Sequence, residues 1–346
     1  MSREGTGFLQ ITLKDHGSQQ LARQLARFGG DIGLARRLLS AAVRRSEFPP
    51  VGPGLSAAKL ADLQAGCHIP CLTHLDRVES PSDGFTRYLF SGDAGGQFEA
   101  VRIPLLHRKG DEKYVACISS QVGCAMGCTF CATGRLGWTR DLAAWEMVDQ
   151  VRSIADDSEH PVRGVVFMGM GEPMLNYDAV MRAAGILSEP CGMAISAKAI
   201  TLSTVGVAPG IRRFTEDNRP YRLVVSLTSA DPSRRAELLP VERSYPTEDL
   251  MAALREYHAA TGQRVILAWT MISGFNTREA DAQQLAALTE GLPIKIDLID
   301  VNDPSGIFRP PSARELDGFR DALRKHVAAP VARRYSGGSD IAAACG

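Results

Sequence analysis

The chain has 346 residues, 45% of them hydrophobic and 23% charged, an ordinary globular composition for one large domain with a smaller companion. Lys plus Arg and Asp plus Glu each number 39, so the formal net charge is zero, no global field draws the protein onto a polyanion, and any nucleic-acid surface must be local. There is no apolar run of eighteen or more residues and no charged-then-apolar leader, so neither a membrane span nor secretion is indicated and a cytoplasmic location is expected.

Residues 18–46 carry apolar side chains at helical spacing interrupted by Gly29 and Gly30, which predicts two helices joined by a turn. The first fifty residues hold eight Lys or Arg against four acids, a balance compatible with phosphate contacts and equally with a solvated helix face. PPVGPG (49–54) breaks the chain, and Ser56 is placed to cap a short helix over 57–65, completing a small helical accessory domain, 1–85. RYLFS, QFEAVRIPLL and KYVACIS, separated by GDAGG and RKGDE, predict strands joined by glycine-containing turns, a short β-meander over 86–112 that runs into the largest part, 113–346. There VRGVVFM, KAITLS, RLVVSL, RVILAWTMI and IKIDLIDV alternate with helix-period segments before a final PVARRY. Strands apolar on both faces, separated by helices, indicate an α/β fold with a parallel sheet. About six βα units fall short of a closed eight-unit barrel and predict a partial one, with ligands at the C-terminal ends of its strands.

CAMGCTFC (124–131) sets Cys124, Cys128 and Cys131 in a CxxxCxxC loop leaving the apolar strand 114–118; Cys117 stands seven residues before Cys124, and Cys345 is the penultimate residue. In a reducing compartment, cysteines at ligand spacing point to metal or redox chemistry. Three such thiolates can hold three irons of a cubane cluster and leave the fourth iron open to a substrate or cofactor. A structural four-cysteine zinc or ferredoxin-type site completed by Cys117 would use the same residues. GMGEP (169–173) ends a strand; its glycines are expected to let the backbone approach a ligand, and Glu172 to present a carboxylate where a ligand ammonium could sit. TLST (201–204), VSLTS (225–229) and LIDVN (298–302) each bring hydroxyl or amide side chains to a strand end. Singly each reads as a helix cap; together with the cysteine loop they form a ring of polar groups about one mouth. Cys67, Cys71 and Cys191 read as packing thiols, and Trp138, Trp145 and Trp269 as core or barrel-rim residues.

From about Arg87 onward, CISSQVGCAMGCTFCATG, VVFMGMGEPMLN, ITLSTVGV, KIDLIDVN and the terminal SGGSDIAAACG resemble, in order and spacing, the RlmN/Cfr family of radical-SAM RNA adenine methyltransferases. The resemblance implies a partial (βα)6 radical-SAM barrel in which Cys124, Cys128 and Cys131 hold a 4Fe-4S cluster. Gly171, Glu172, Ser203, Ser226, Leu227, Thr228 and Asn302 match positions that bind S-adenosylmethionine. Cys345 matches a cysteine that is itself methylated, Cys117 its resolving partner, and Glu99 the proton acceptor. An sp² adenine carbon flanked by nitrogens is not nucleophilic, so the implied path uses two S-adenosylmethionine molecules per turnover, one to methylate Cys345 and one to activate the resulting methyl group. The activated carbon adds to the ring, Glu99 removes the ring proton, and Cys117 attacks the Cys345 sulfur to release product with a transient disulfide. Gly337 and Gly338, beside a Ser339-capped turn, are expected to let Cys345 move between partners. The implied substrate is an adenosine of RNA, at C2 before C8, in ribosomal RNA with tRNA as a second family precedent; a flavodoxin or ferredoxin would supply electrons, and a monomer is the default.

The chain departs from the family in three places. Thr228 stands where a histidine is usual, Asp303 follows Asn302 where a proline is usual, and ARRLLSAAVRR (35–45) replaces an aromatic QxxxWIY pattern. Two other readings use the same residues: a radical-SAM methylase of the same mechanism acting on a small molecule or peptide, and a non-enzymatic, zinc-stabilised RNA-binding module.

Overall fold

In the computed structural model, which describes residues 10–106, 109–303 and 305–343, the chain opens on a two-residue strand β1 (Ile11–Thr12) and three helices, α1 (Ser18–Leu25), α2 (Ile32–Arg45) and α3 (Ala57–Gly66). Gly29, in the left-handed region at φ 63°, ends the turn that follows α1. Asp31 then caps α2 by accepting from the Leu34 amide at 2.8 Å, and Ser56 caps α3 through the Lys59 amide at 3.2 Å. The ARRLLSAAVRR segment is helical because Leu34, Leu38, Leu39, Ala42 and Val43 fall on one buried face. Its arginines do local work: Arg37 donates to the carbonyls of Pro50 and Pro53 in the PPVGPG break, and Arg44 to those of Pro190 and Gly192. After α3, β2 (Cys67–His68) pairs in parallel with β1.

Four antiparallel strands follow: β3 (Thr73–Glu79), β4 (Thr86–Ser91), β5 (Gln97–Leu105) and β6 (Lys113–Ile118). The sequence pattern is silent on β3 because it is a sheet edge, exposed along nearly its whole length, with no apolar alternation. A short hairpin, β7 (Gln121–Gly123) and β8 (Trp138–Asp141), brackets α4 (Ala132–Leu136) and is followed by α5 (Ala144–Asp156). The rest alternates: β9 (Val162–Phe167), α6 (Tyr177–Ser188), β10 (Ile200–Thr204), α7 (Ala208–Glu216), β11 (Arg222–Ser226), α8 (Pro232–Leu238), α9 (Thr247–Thr261), β12 (Val265–Met271), α10 (Glu279–Leu288), β13 (Ile294–Asp300), α11 (Ala313–His326) and β14 (Val331–Arg334).

All ten strands from β3 to β14 other than the hairpin form one sheet, ordered β14-β13-β12-β11-β10-β9-β6-β5-β4-β3. Strands β6 and β9 to β14 run parallel, so six βα units and a seventh strand make an open, partial barrel, and the meander extends that same sheet beyond β6. The N-terminal helices share one hydrophobic core with the barrel, in which Leu21, Leu25, Leu38 and Val43 join Val148, Val151 and Ile154 of α5. Across that junction the ammonium of Lys14, fully buried, meets Asp149 at 2.6 Å and also donates to Ser46 Oγ and the Pro70 carbonyl, both at 2.8 Å. No helix among the described residues is long and apolar enough to cross a membrane.

Candidate active site

The cysteine loop is fastened at both ends. Gly123 (φ +77°) leaves β7 so close to β8 that a Cβ would lie 1.8 Å from the Gly137 carbonyl oxygen, and the Cys124 amide donates to that same oxygen at 2.9 Å. Gly134 plays the same part in α4, where a Cβ would meet the backbone of Cys128 at 2.8 Å. The Thr129 amide donates to Leu238 O at 2.9 Å, and Cys128 and Phe130 pack on Leu238, Leu239, Val241, Ile272 and Val301. Cys124, Cys128 and Cys131 thereby line one cavity of about 230 Å³ at the C-terminal ends of the strands. Burial pushes the Cys124 thiol up to about 11, with Glu172 and Cys131 adding like-charge repulsion, and raises Cys128 further for the same reasons. Three soft sulfur donors on one cavity wall suit iron–sulfur chemistry. Among the described residues no group of three or more His, Cys, Asp or Glu is arranged to hold a single metal ion, as a structural zinc would require.

GMGEP forms the next part of the wall. A Cβ on Gly169 would sit 2.8 Å from the backbone of Ile118 and Ser119; one on Gly171 (φ +105°) would sit 2.7 Å from Gln121 Cβ. The glycines therefore stack closely on residues 118–121, and both also line the cavity. Glu172 is buried: its amide donates to Gln121 Oε1 at 2.8 Å, and its carboxylate accepts from the amides of Met174 at 3.0 Å and Val205 at 2.9 Å. Burial outweighs those hydrogen bonds and lifts the carboxyl to about 7. A buried carboxylate on a cavity wall, hydrogen-bonded by amides, is complementary to a ligand ammonium.

Ser203 and Thr204 of β10, Ser226 of β11 and Asn302 after β13 line the same cavity. The Thr204 hydroxyl accepts from the amides of Gly206 and Val207 in the turn before α7, whose N-cap position is held by Val207 without a side-chain bond. Leu227 and Thr228 are not among the lining residues. Leu227 is fully buried in the core with its amide on Ala268 O at 3.0 Å. Thr228 is equally buried, at φ 61°, an outlying conformation for a β-branched residue; Asn276 donates to its carbonyl at 2.7 Å, and its hydroxyl has no hydrogen-bond partner.

Glu99 and Cys117 enter from neighbouring antiparallel strands, Val101 of β5 standing opposite Cys117 of β6. Burial raises the Glu99 carboxyl, and Arg87, whose Nη1 lies 3.4 Å from Oε1, opposes the shift. The period-two pattern places Arg87 on the half-buried face of β4 and carries no signal of its pairing with Glu99. Ala342 and Ala343 also line the cavity; Cys345 itself lies outside the described residues. Ser339 does not cap the short turn Ser339–Ile341: the preceding Gly338 holds the N-cap position, without a side-chain bond. Cys67 and Cys191 pack as expected, whereas Cys71 is exposed. Trp269 is in the core, Trp145 is buried on α5, and Trp138 stands 52% exposed on the hairpin.

Residues 118–286 match the model of the radical SAM superfamily. The chain is 51% identical over 284 residues to a probable RNA methyltransferase of Myxococcus xanthus, across 82% of this chain and 78% of the relative. It is 42% identical to the dual-specificity RNA methyltransferase RlmN of Syntrophobacter fumaroxidans, across 84% of each. A crystal structure of a radical SAM methyltransferase from Sphaerobacter thermophilus superposes with a TM-score of 0.86 at 36% identity, over 97% of this chain and 98% of the other. The chain accordingly belongs to the RlmN/Cfr family of radical-SAM RNA methyltransferases.

Proposed function

We propose that the chain methylates a ring carbon of adenosine in RNA, at C2 in preference to C8 and in ribosomal RNA before tRNA, with Cys345 as methyl carrier and Cys117 as its resolving thiol. The observation that carries this reading is the single cavity that gathers Cys124, Cys128, Cys131, Cys117, Glu99 and Glu172 with Ala342 and Ala343, two residues short of Cys345. In this reading the three loop cysteines hold a 4Fe-4S cluster, and Glu172 takes the ammonium of S-adenosylmethionine while Ser203, Ser226 and Asn302 meet its other polar groups. Gly171 sets the angle at which Glu172 enters, and Leu227 and Thr228 act indirectly by holding the end of β11. When bound, the cluster and S-adenosylmethionine supply a methyl group and one-electron cleavage, two S-adenosylmethionine molecules being used in each turnover.

The remaining steps belong to the chain's own side chains. Cys345 accepts the methyl on sulfur and presents it to the base. Glu99, its carboxyl raised by burial, takes the ring proton. Cys117 then attacks the Cys345 sulfur, forming a disulfide as the carbon–sulfur bond breaks, and an external electron donor such as flavodoxin or ferredoxin serves the cluster. RNA reaches this mouth with help from the accessory domain, 1–85, where Arg23 and Arg36 line one groove, and the chain works as a cytoplasmic monomer in which the 86–112 meander joins that domain to the 113–346 barrel.

Nucleoside mass spectrometry tests the reading: unmodified ribosomal RNA and tRNA are incubated anaerobically with reconstituted protein, reductant and S-adenosylmethionine. A 2-methyladenosine or 8-methyladenosine peak that disappears in Cys345→Ala is the expected result. Full methylation by that variant would sink the carrier role, and cleavage of S-adenosylmethionine without any nucleoside product would move the substrate outside RNA.

A further inference from the structure

The end of the described chain lies against the turn between β3 and β4, residues 80–85, through contacts outside the cavity. Asp83 Oδ2 accepts from the Gly338 amide at 2.8 Å and from the Tyr335 hydroxyl at 3.1 Å. Asp340 answers from the tail side: its Oδ2 accepts from Ser80 Oγ at 3.0 Å and Ser82 Oγ at 3.3 Å. Between the two aspartates the buried Phe85 meets the Tyr335 ring edge-on at 6.1 Å. Phe85 also lies so near Gly337 that a Cβ there would be 2.4 Å from its ring. The docked position of the tail thus has no room for a side chain at Gly337. Beyond it the Ala343 amide closes on Gly338 O at 2.8 Å, and Ala342 is held at φ 54°, a conformation an alanine keeps only where its surroundings impose it. This turn is what directs Ala342 and Ala343 into the cavity wall.

We propose that the 80–85 turn is a docking station for tail residues 335–343, with Asp83, Phe85 and Asp340 as positioning residues that deliver Cys345 to the cavity. The delivery rests on the reading of Cys345 as methyl carrier; the dock rests on its own contacts. Only Ala344 separates Ala343 from Cys345, and two extended residues span at most about 7 Å, so fixing 335–343 confines the thiol to the cavity's neighbourhood. An undocked tail would explore a far larger volume, lowering the thiol's effective concentration at the site. Once delivered, Cys345 loses its thiol proton to solvent, its sulfur forms the new bond to the methyl carbon as the sulfonium–methyl bond breaks, and S-adenosylhomocysteine leaves.

The test compares holoenzyme of the unsubstituted chain, Gly337→Ala, and Ser80→Ala/Ser82→Ala, the last removing both hydroxyls that donate to Asp340, one on the buried Ser80 and one on the exposed Ser82. Three quantities are read: amide exchange across 338–343, the rate of methyl incorporation into the C-terminal peptide by mass spectrometry, and iron content. Faster exchange, an at least about tenfold slower incorporation in Gly337→Ala, an about threefold slower one in the serine pair, and unchanged iron are expected. Unchanged exchange in both variants overturns the dock, and faster exchange with unchanged incorporation overturns the positioning role. Failure of the carrier reading shows differently: RNA methylation survives Cys345→Ala, which overturns delivery, while the exchange effect of Gly337→Ala persists.

Discussion

Arg135 joins two parts of the site that lie far apart in the chain: its Nη2 donates to Asp303 Oδ1 at 2.8 Å and to the Thr129 carbonyl at 3.0 Å. Asp303, the residue that stands where the family has a proline, therefore ties the loop carrying Asn302 to the cysteine loop. Burial opposes ionisation of Asp303, but donors from Ser305, the Phe308 amide and Arg135 outweigh it and hold the carboxyl well below the usual range.

Asp303→Ala should loosen the cysteine loop without unfolding the barrel. Arg135 is 37% exposed, so the pair contributes only about 1 kcal/mol to stability. Its effect should appear in metal retention: iron should leave the reconstituted variant to a chelator several-fold faster than from the unsubstituted protein. Equal release rates would show that the tie does not reach the cluster ligands.

Glu172→Gln should weaken S-adenosylmethionine binding by about tenfold or more, because it removes a buried carboxylate from its ammonium partner. The free carboxyl sits at about 7, so below that pH binding must displace a proton. Affinity should therefore rise with pH up to about 7 in the unsubstituted protein, and that rise should be missing in Glu172→Gln. Equilibrium binding across pH 5.5–8.5 checks both, these limits being roughly those that bracket the carboxyl.

Glu99→Gln should slow ring-proton removal by about 100-fold while leaving S-adenosylmethionine affinity and methylation of the C-terminal cysteine intact. An RNA intermediate held covalently to the chain should then accumulate, visible as a protein–RNA band on denaturing gels. Normal turnover in this variant would assign the base elsewhere.

Lys14→Met should cost about 3–5 kcal/mol in denaturant unfolding, since it leaves the buried Asp149 without one of its two cations. Arg152, at 2.6 Å, and the Leu72 amide, at 2.8 Å, remain as partners of Asp149 and keep the loss from growing larger. Burial raises the Asp149 carboxyl, but Arg152 and Lys14 more than reverse this and hold it below its ordinary value. Its contribution is fully present above the unfolded value of about 3.9 and is lost as pH falls through the lower folded value. Acid unfolding of Lys14→Met should accordingly set in at higher pH than that of the unsubstituted protein.

Local signals in the sequence determined the parallel strands, whose two-faced apolar runs need helices on both sides, the capping of α3, and the three-thiol loop, whose spacing is itself the chemical message. They also determined that polar residues gather at strand ends, because period-two alternation and turn position are local properties. Tertiary structure alone decided which of those residues reach the cavity. Ser226 lines it while Leu227 turns into the core, and Thr228 adopts a backbone conformation no propensity predicts. It also decided what the glycines pack against: Gly171 meets Gln121 and Gly337 meets Phe85, neighbours set by how the loops stack. Gly338 and Asp83 are 255 positions apart, and Arg135 and Asp303 168. Such pairs leave no periodic trace in the chain, since their partners are chosen by the closing of the sheet and the packing of loops at its end.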